Sequence, residues 1–262
     1  PGGGRTITGT VAAIDADTVL VSVMAANNET GTLQPIAELA ALTHTHRALL
    51  HCDAAQAAGQ IPLDVTTLGV DLLTVVGHKM YAPKGIAALY VRHGVRLEPV
   101  ACGGGQEHGL RAGTENVALA VALGTAAELA TDDLTHGEPT RVAALRDDLH
   151  HRLAAALPGR VHRNGHPTAC LPNTLNVSID GVPGHDLLAA VPEVAASTGS
   201  ACHSGTHQPS PVLTAMGHPA PRALTALRLS LGRWTTTDEI DRATSLLTAG
   251  ASTLTHRPAA TA

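Results

Sequence analysis

The sequence contains no phenylalanine, one tryptophan and two tyrosines. A buried core in this chain must therefore be built from Leu, Val, Ala and Ile. With 44% hydrophobic residues in 262, there are enough of them for one large domain or a large domain with a smaller companion. Basic runs are also missing, and the formal charge is −5, which argues against nucleic acid as the main partner. Long apolar runs are absent too. The longest uncharged one, near Val117–Ala127, is too short to span a bilayer, and no signal-peptide pattern is visible, so no membrane partner is expected. Cysteine is scarce. Cys52, Cys102, Cys170 and Cys202 lie far apart with no C-x-x-C pair, which fits a reduced, cytoplasmic setting better than a disulfide framework.

Lysine is the most informative scarcity. The chain has fifteen arginines but only two lysines, Lys79 and Lys84, both in "VVGHKMYAPKG" (75–85). Arginine serves for surface charge and for forked grips on carboxylate or phosphate. Only lysine loses its proton near neutral pH and attacks a carbonyl. The stretch thus points to Schiff-base chemistry, with chance in an arginine-rich composition as the competing reading.

Histidine is plentiful, at sixteen, and His44, His46 and His51 invite a metal reading. His44 and His46 stand two apart on a predicted helix and so point to different faces. A solvated helix end is expected there, and no metal is assigned. The opening "PGGGRTITGT" lacks a preceding strand and a G-K-[ST] ending, so its glycines are given no phosphate role. It reads as the middle of a domain.

Strand and helix alternate along the chain. Short β-rich runs at 18–24, 48–52, 71–76 and 86–91 are separated by a helix over 35–47 and followed by a long apolar helix over 115–130. This order predicts an α/β fold with a mostly parallel sheet flanked by helices. A composition change at "TDDLTHGEPT" (131–140) divides the chain into a large part, 1–135, and a smaller α+β domain, 136–262. The second part is expected to hold helices at 141–156, near 184–190 and from about Pro209. Its expected strands are 174–179, 194–198 and 226–231, and a final helix starts with the capping box of Thr236 and Glu239.

Ligands of open α/β sheets bind beyond the carboxyl ends of the strands. Asn27, Asn28 and Glu29 follow the first strand, Asp53 and Gln56 the second, and His78 and Lys79 the third. Asn and Asp fit ordinary turns well; Gly-His-Lys does not. A lysine for an imine, a carboxylate for a ring nitrogen and a histidine for phosphate together describe a pyridoxal phosphate site. Cys202, in "STGSACHSGTHQPSP", admits three readings: an activated loop thiol, a small buried side chain, or a metal ligand with His207. Arg228 projects from "ALRLSL" opposite Leu227 and Leu229, which suits either a bidentate grip on a carboxylate or a structural ion pair. Thr114 lies in a glycine-rich loop before the long helix, read either as a surface loop or as an anion site.

Taken in order, "ANNETG", "HCDAAQ", "GHKMYAPKG", "GGGQEHGLRAGT", "GSACHSG" and "LRLSLGR" resemble the class V aminotransferase-type cysteine desulfurases, with selenocysteine lyases as a close sister group. The resemblance implies a fold type I large domain, incomplete here, because the family's Thr-bearing phosphate loop and ring-stacking His would precede it. It implies that Lys79 binds pyridoxal 5'-phosphate as an imine and moves the substrate α-proton. Asp53 would pair with the pyridine nitrogen, Gln56 and Asn28 would hydrogen-bond the ring oxygen, and His78 would contact the phosphate. Asn28 and Arg228 would hold the substrate carboxylate, and Thr114 would reach the phosphate in the other subunit of a homodimer. Cys202 would accept sulfur as a persulfide, with alanine released, for transfer to a sulfur acceptor or iron–sulfur scaffold protein. Selenocysteine in place of L-cysteine is the alternative substrate, and an inactive dimerisation module the second alternative. Val76 departs from the Ser found at that position in many desulfurases.

Overall fold

A computed structural model of the chain describes residues 13–199 and 208–255, which fall into two compact units. One comprises described residues 13–25 and 35–136. The other comprises 26–34 and the described residues from 137 onward.

The first unit is built on a four-stranded sheet in the order β1 (Leu20–Met24), β2 (Leu49–Asp53), β3 (Leu72–Val76), β4 (Ala87–Val91). The first three strands are parallel and β4 runs antiparallel to β3. Helix α1 (Ile36–Thr45) buries Ile36, Leu39, Ala40 and Thr43, the i, i+3, i+4, i+7 stripe of an amphipathic helix. On β2, Leu50 and Cys52 are fully buried, while His51 and Asp53, on the alternate positions, face the other side. The short helix α2 (Val65–Leu68) is capped by Asp64, which accepts from the Thr66 and Thr67 N–H groups. The long helix α3 (Val117–His136) seats Ala126 and Ala130 against Ala58, Met80 and Ala82.

Asp71 precedes β3 and is fully buried. Its carboxylate accepts from the Leu50 N–H at 2.7 Å and bonds His44 Nε2 at 2.8 Å, and it is ion-paired with Arg92. Burial alone pushes the Asp71 carboxyl up, but those two bonds and the Arg92 charge outweigh it and hold it below the usual carboxylate range. His44 is therefore not a solvated helix end, as its position near the end of α1 implied. A buried acid more than twenty residues away claims it.

The second unit holds an antiparallel sheet, β5 (Val161–Arg163), β6 (Thr174–Ile179), β7 (Ala226–Ser230), and five helices among the described residues: α4 (Glu138–Ala156), α5 (Gly184–Ala190), α6 (Pro211–Ala215), α7 (Ala220–Leu224) and α8 (Thr237–Thr255). Its core is aliphatic, as the lack of Phe required. Val142, Leu145, Leu149 and Leu153 of α4 meet Leu175, Val177 and Ile179 of β6, Leu227 and Leu229 of β7, and Ile240 and Leu247 of α8. The polar face of β6 is buried as well and is satisfied internally. Asn164 Nδ2 donates to Asn176 Oδ1 and Ser178 Oγ at 2.9 Å each, and Asn176 Nδ2 donates to the Glu29 carbonyl. The capping box forms as read: the Glu239 carboxylate accepts the Thr236 N–H, and Thr236 Oγ1 accepts the Glu239 N–H.

Two elements differ from expectation. Residues 194–198 make no strand, because only Ser197 bridges β7, at Arg228. Residues 131–136 are helical and complete α3, so the turn narrows to Gly137. The polar "TDDLTH" segment is exposed or partly exposed, and polar composition on the outside of a helix is indistinguishable in sequence from a loop.

Candidate active site

In the first unit the ladder aligns Met24 with Asp53 and Asp53 with Thr74. Asp53 is therefore the last residue of β2, and Gly77–Lys79 forms a 3-10 turn directly after its neighbour β3. This turn needs its glycine. A Cβ at Gly77 would stand 2.8 Å from Ile86 Cγ2 and 3.2 Å from the Ile86 carbonyl oxygen. The Gly77 N–H donates to that same carbonyl at 3.0 Å, and the Gly77 carbonyl accepts from Met80 and Ala82. The backbone is thus fixed on both sides, leaving the His78 and Lys79 side chains exposed. Tyr81 follows with φ +66, a left-handed conformation rare for a bulky residue and typical of constrained functional turns.

The polar side chains here are not consumed by the fold. Asp53 Oδ1 accepts the Ala55 N–H at 2.9 Å, and its second oxygen has no partner among the described residues. Lys79 and His78 have none there, nor has the side chain of half-buried Gln56. Thr114 is exposed, two residues before Asn116, whose Oδ1 accepts the Leu119 N–H at the start of α3. Lys84 is exposed as well. Cys52 is a fully buried neighbour of Asp53, and its thiol is pushed up to about 11 by burial and by the Asp53 charge, so it is poorly placed for nucleophilic work.

The second unit contains Asn28 and Arg228. Asn27, not Asn28, shapes the "NNETG" turn: its Oδ1 accepts the N–H groups of Glu29 and Thr30 at 2.9 Å. Gly31, with φ +72, closes the turn where a Cβ would meet Thr174 at 2.9 Å. The Asn28 side chain is left without a partner among the described residues, while its carbonyl accepts from Arg228 Nη1 at 2.9 Å. Arg228 pairs with Asn176 in the β6–β7 ladder, on the face opposite Leu227 and Leu229. Its Nε is buried and has no hydrogen-bond partner among the described residues. Burial lowers the Arg228 guanidinium from its ordinary value, and the nearby Glu29 charge partly restores it.

Glu29 does more than its place in a turn indicated. It is 3% exposed and accepts Ser210 Oγ–H at 2.6 Å, and a Cβ on Gly199 would come within 3.1 Å of its carboxylate. Glu29 thus bonds Ser210 and leaves little room for a side chain at Gly199. A turn acid reads as solvated in sequence, and no local signal marks it as buried. Cys202 itself, with His203 and His207, lies outside the described residues. The site residues are divided between the units: Asp53, Gln56, His78, Lys79 and Thr114 belong to one, Asn28 and Arg228 to the other.

Comparison with known proteins matches residues 2–243 to the aminotransferase class-V family. The chain is 47% identical over 238 residues to cysteine desulfurase 2 of Trichormus variabilis, covering 90% of this chain and 59% of that protein. It is 46% identical to the mitochondrial cysteine desulfurase of Drosophila melanogaster, covering 87% and 49%. It is also 46% identical to the cysteine desulfurase NifS of Azotobacter vinelandii, covering 86% and 56%. The chain thus spans about half to three fifths of the length of these relatives. Among solved structures, the NifS-like protein of Rickettsia africae superposes with a TM-score of 0.83 at 30% identity, covering 93% of this chain and 65% of that one.

Proposed function

Because this chain belongs to the aminotransferase class-V family, we propose that it is the part of a pyridoxal phosphate-dependent cysteine desulfurase that carries the cofactor lysine, the substrate arginine and the sulfur-accepting cysteine. The observation that carries this reading is a lysine without a partner among the described residues, on a glycine-fixed turn next to a strand that ends in a carboxylate with one oxygen likewise unpartnered there. The donor set fits the cofactor: an amine for its aldehyde, a carboxylate for its ring nitrogen, an amide for its ring oxygen and an imidazole for its phosphate. When bound, pyridoxal phosphate supplies a sink for the electron pair released at the substrate Cα.

The chain's own residues do the rest. Asp53 would accept the ring N–H and keep that proton in place, and Gln56 and Asn28 would hydrogen-bond the ring oxygen. Lys79 would hold the cofactor through its amine and, when released, would take the Cα proton of L-cysteine. Arg228 would offer Nε and its outer N–H groups to the substrate carboxylate, with Asn28 as a second donor. His78 would contact the phosphate. The Cys202 thiolate would attack the substrate sulfur, the S–S bond forming as the Cβ–S bond breaks, while Cβ takes the electron pair and a proton and alanine leaves. Residues 1–135 then serve the cofactor and 136–262 the substrate and sulfur, with Asn28 joining the second group. The free thiols of Cys52, Cys102 and Cys170 favour a reducing compartment such as the cytoplasm, and no helix among the described residues is long and apolar enough to cross a membrane. The persulfide sulfur would go to an iron–sulfur scaffold or similar acceptor protein.

The test is product analysis. With pyridoxal phosphate added, L-cysteine should yield one alanine per sulfur delivered, and Cys202→Ala should stop the delivery. Alanine from selenocysteine but not from cysteine would replace this reading by a selenocysteine lyase, and no alanine from either would reject it.

A homodimer belongs to the same proposal, with Thr114 reaching the phosphate bound by the second protomer. Val117 and Val121 form one exposed stripe on α3, at 68% and 64% exposure, while Leu123, Ala126 and Ala130 on its other side pack inward. Such a stripe supports burial against a second copy. Val121→Arg is expected to turn the dimer into a monomer in sedimentation at micromolar concentration, with the far-ultraviolet circular dichroism retained.

A further inference from the structure

Three polar side chains form a continuous row across the parallel sheet of the first unit. Ser22 Oγ lies 2.7 Å from His51 Nδ1, and His51 Nε2 lies 2.9 Å from Thr74 Oγ1. They come from β1, β2 and β3, one from each strand. The ladder pairs Ser22 with His51 directly, and it pairs Thr74 with Asp53, two residues beyond His51 on the same face. The row therefore runs one pleat below Asp53 and ends at the ladder position beside it. On the opposite face of β2, Leu50 and Cys52 are wholly buried, so this face alone carries the polar row.

The direction of the row is set by the His51 tautomer. With the ring proton on Nε2, Ser22 O–H would donate to Nδ1 across the 2.7 Å contact and Nε2–H to Thr74 Oγ1 across the 2.9 Å contact. In that tautomer the positive ends of the dipoles point from β1 toward β3, on the side of Asp53.

We propose that His51 carries its ring proton on Nε2 and, braced by Ser22 and Thr74, is a positioning residue that acts through Asp53, turning the positive end of the row toward that carboxylate and so strengthening its hold on the cofactor's ring nitrogen. The inference rests on the cofactor reading above. A row that merely satisfies its own hydrogen bonds would show no dependence on Asp53.

Two measurements decide it. In the cofactor-free chain, ring-nitrogen NMR of His51 should show the Nε2–H tautomer with Nδ1 as acceptor, and Ser22→Ala should abolish that preference. An Nδ1–H tautomer, or a ring averaging between the two, overturns the direction and with it the proposal. In a pyridoxal phosphate titration, Thr74→Val should weaken binding by about tenfold, and Thr74→Ser should restore it. In an Asp53→Asn background the same Thr74→Val change should cost less than about twofold. Equal losses in the two backgrounds would mean a structural role only and would overturn the proposal. A parent chain that binds no pyridoxal phosphate refutes the cofactor reading instead, and the His51 tautomer still decides the direction of the row.

Discussion

Lys79→Arg is expected to lower alanine formation from cysteine at least about a thousandfold while leaving the fold unchanged. Arginine keeps the positive charge and much of the length, so any role of Lys79 as a surface cation survives the change. It cannot give up its proton near neutral pH, and so neither attaches to the cofactor nor takes the Cα proton. The side chain is exposed and makes no hydrogen bond or ion pair among the described residues, so the replacement breaks no packing and leaves no orphaned partner. The unfolding midpoint should therefore match that of the parent chain. Lys84→Arg is the internal control. Lys84 is also exposed, but it lies beyond the turn fixed by Gly77 and has no assigned chemistry, so turnover should stay within about twofold of the parent.

The second large effect is on stability. Asp71→Ala leaves the Leu50 N–H without its acceptor in a buried strand, and it strips His44 and Arg92 of their common partner. Breaking such a cluster from the acid side should cost about 2–4 kcal/mol, read as a lower urea midpoint for the unit that contains β2 and β3. Arg92 is about half exposed, which keeps the cost below that of a fully buried ion pair. The pH dependence has a definite sign. The Asp71 carboxyl is held below its unfolded value, so the folded state binds its proton less readily than the unfolded chain. Its contribution is fully present above the unfolded carboxylate value of about 4 and is lost as pH falls through the lower folded value. The difference in midpoint between parent and variant should hold from neutral pH to about 5 and shrink below about 4. A difference that grew on acidification would reverse the assignment.

Much of the fold was legible because periodicity and punctuation agreed. The β6 run "TLNVSI", the α5 helix and the Thr236–Glu239 cap stand where alternation, apolar spacing and capping residues placed them. The parallel order of β1, β2 and β3 followed from helices between short apolar strands. Errors arose where tertiary partners decide. Residues 194–198 carry Val194 and Thr198 between small residues, and they find one bridging partner and no ladder. His44 was read from its helix end, but a buried acid distant in sequence holds it.

The candidate site was legible to the extent that its chemistry is carried by rare residue types. Two lysines among seventeen basic residues single out one turn, and glycine before His78 marks a backbone that leaves no room for a side chain. Burial was not legible. Glu29 and the open Nε of Arg228 are defined by surroundings drawn from segments about two hundred residues apart, and no local pattern records them. Nor does sequence show that Ser22, His51 and Thr74 reach one another across the sheet, because strand order and stagger are properties of the sheet.

The central claim, that Lys79 is the cofactor lysine, is tested most directly by trapping. The chain is incubated with pyridoxal phosphate, reduced with borohydride, digested and mapped by mass spectrometry. With two lysines in the whole sequence, the assignment is unambiguous. The expected result is a pyridoxyl mass on the Lys79 peptide at near-stoichiometric yield, absent from Lys79→Arg. Label confined to Lys84, or a Lys79 peptide that stays unlabelled, would contradict it.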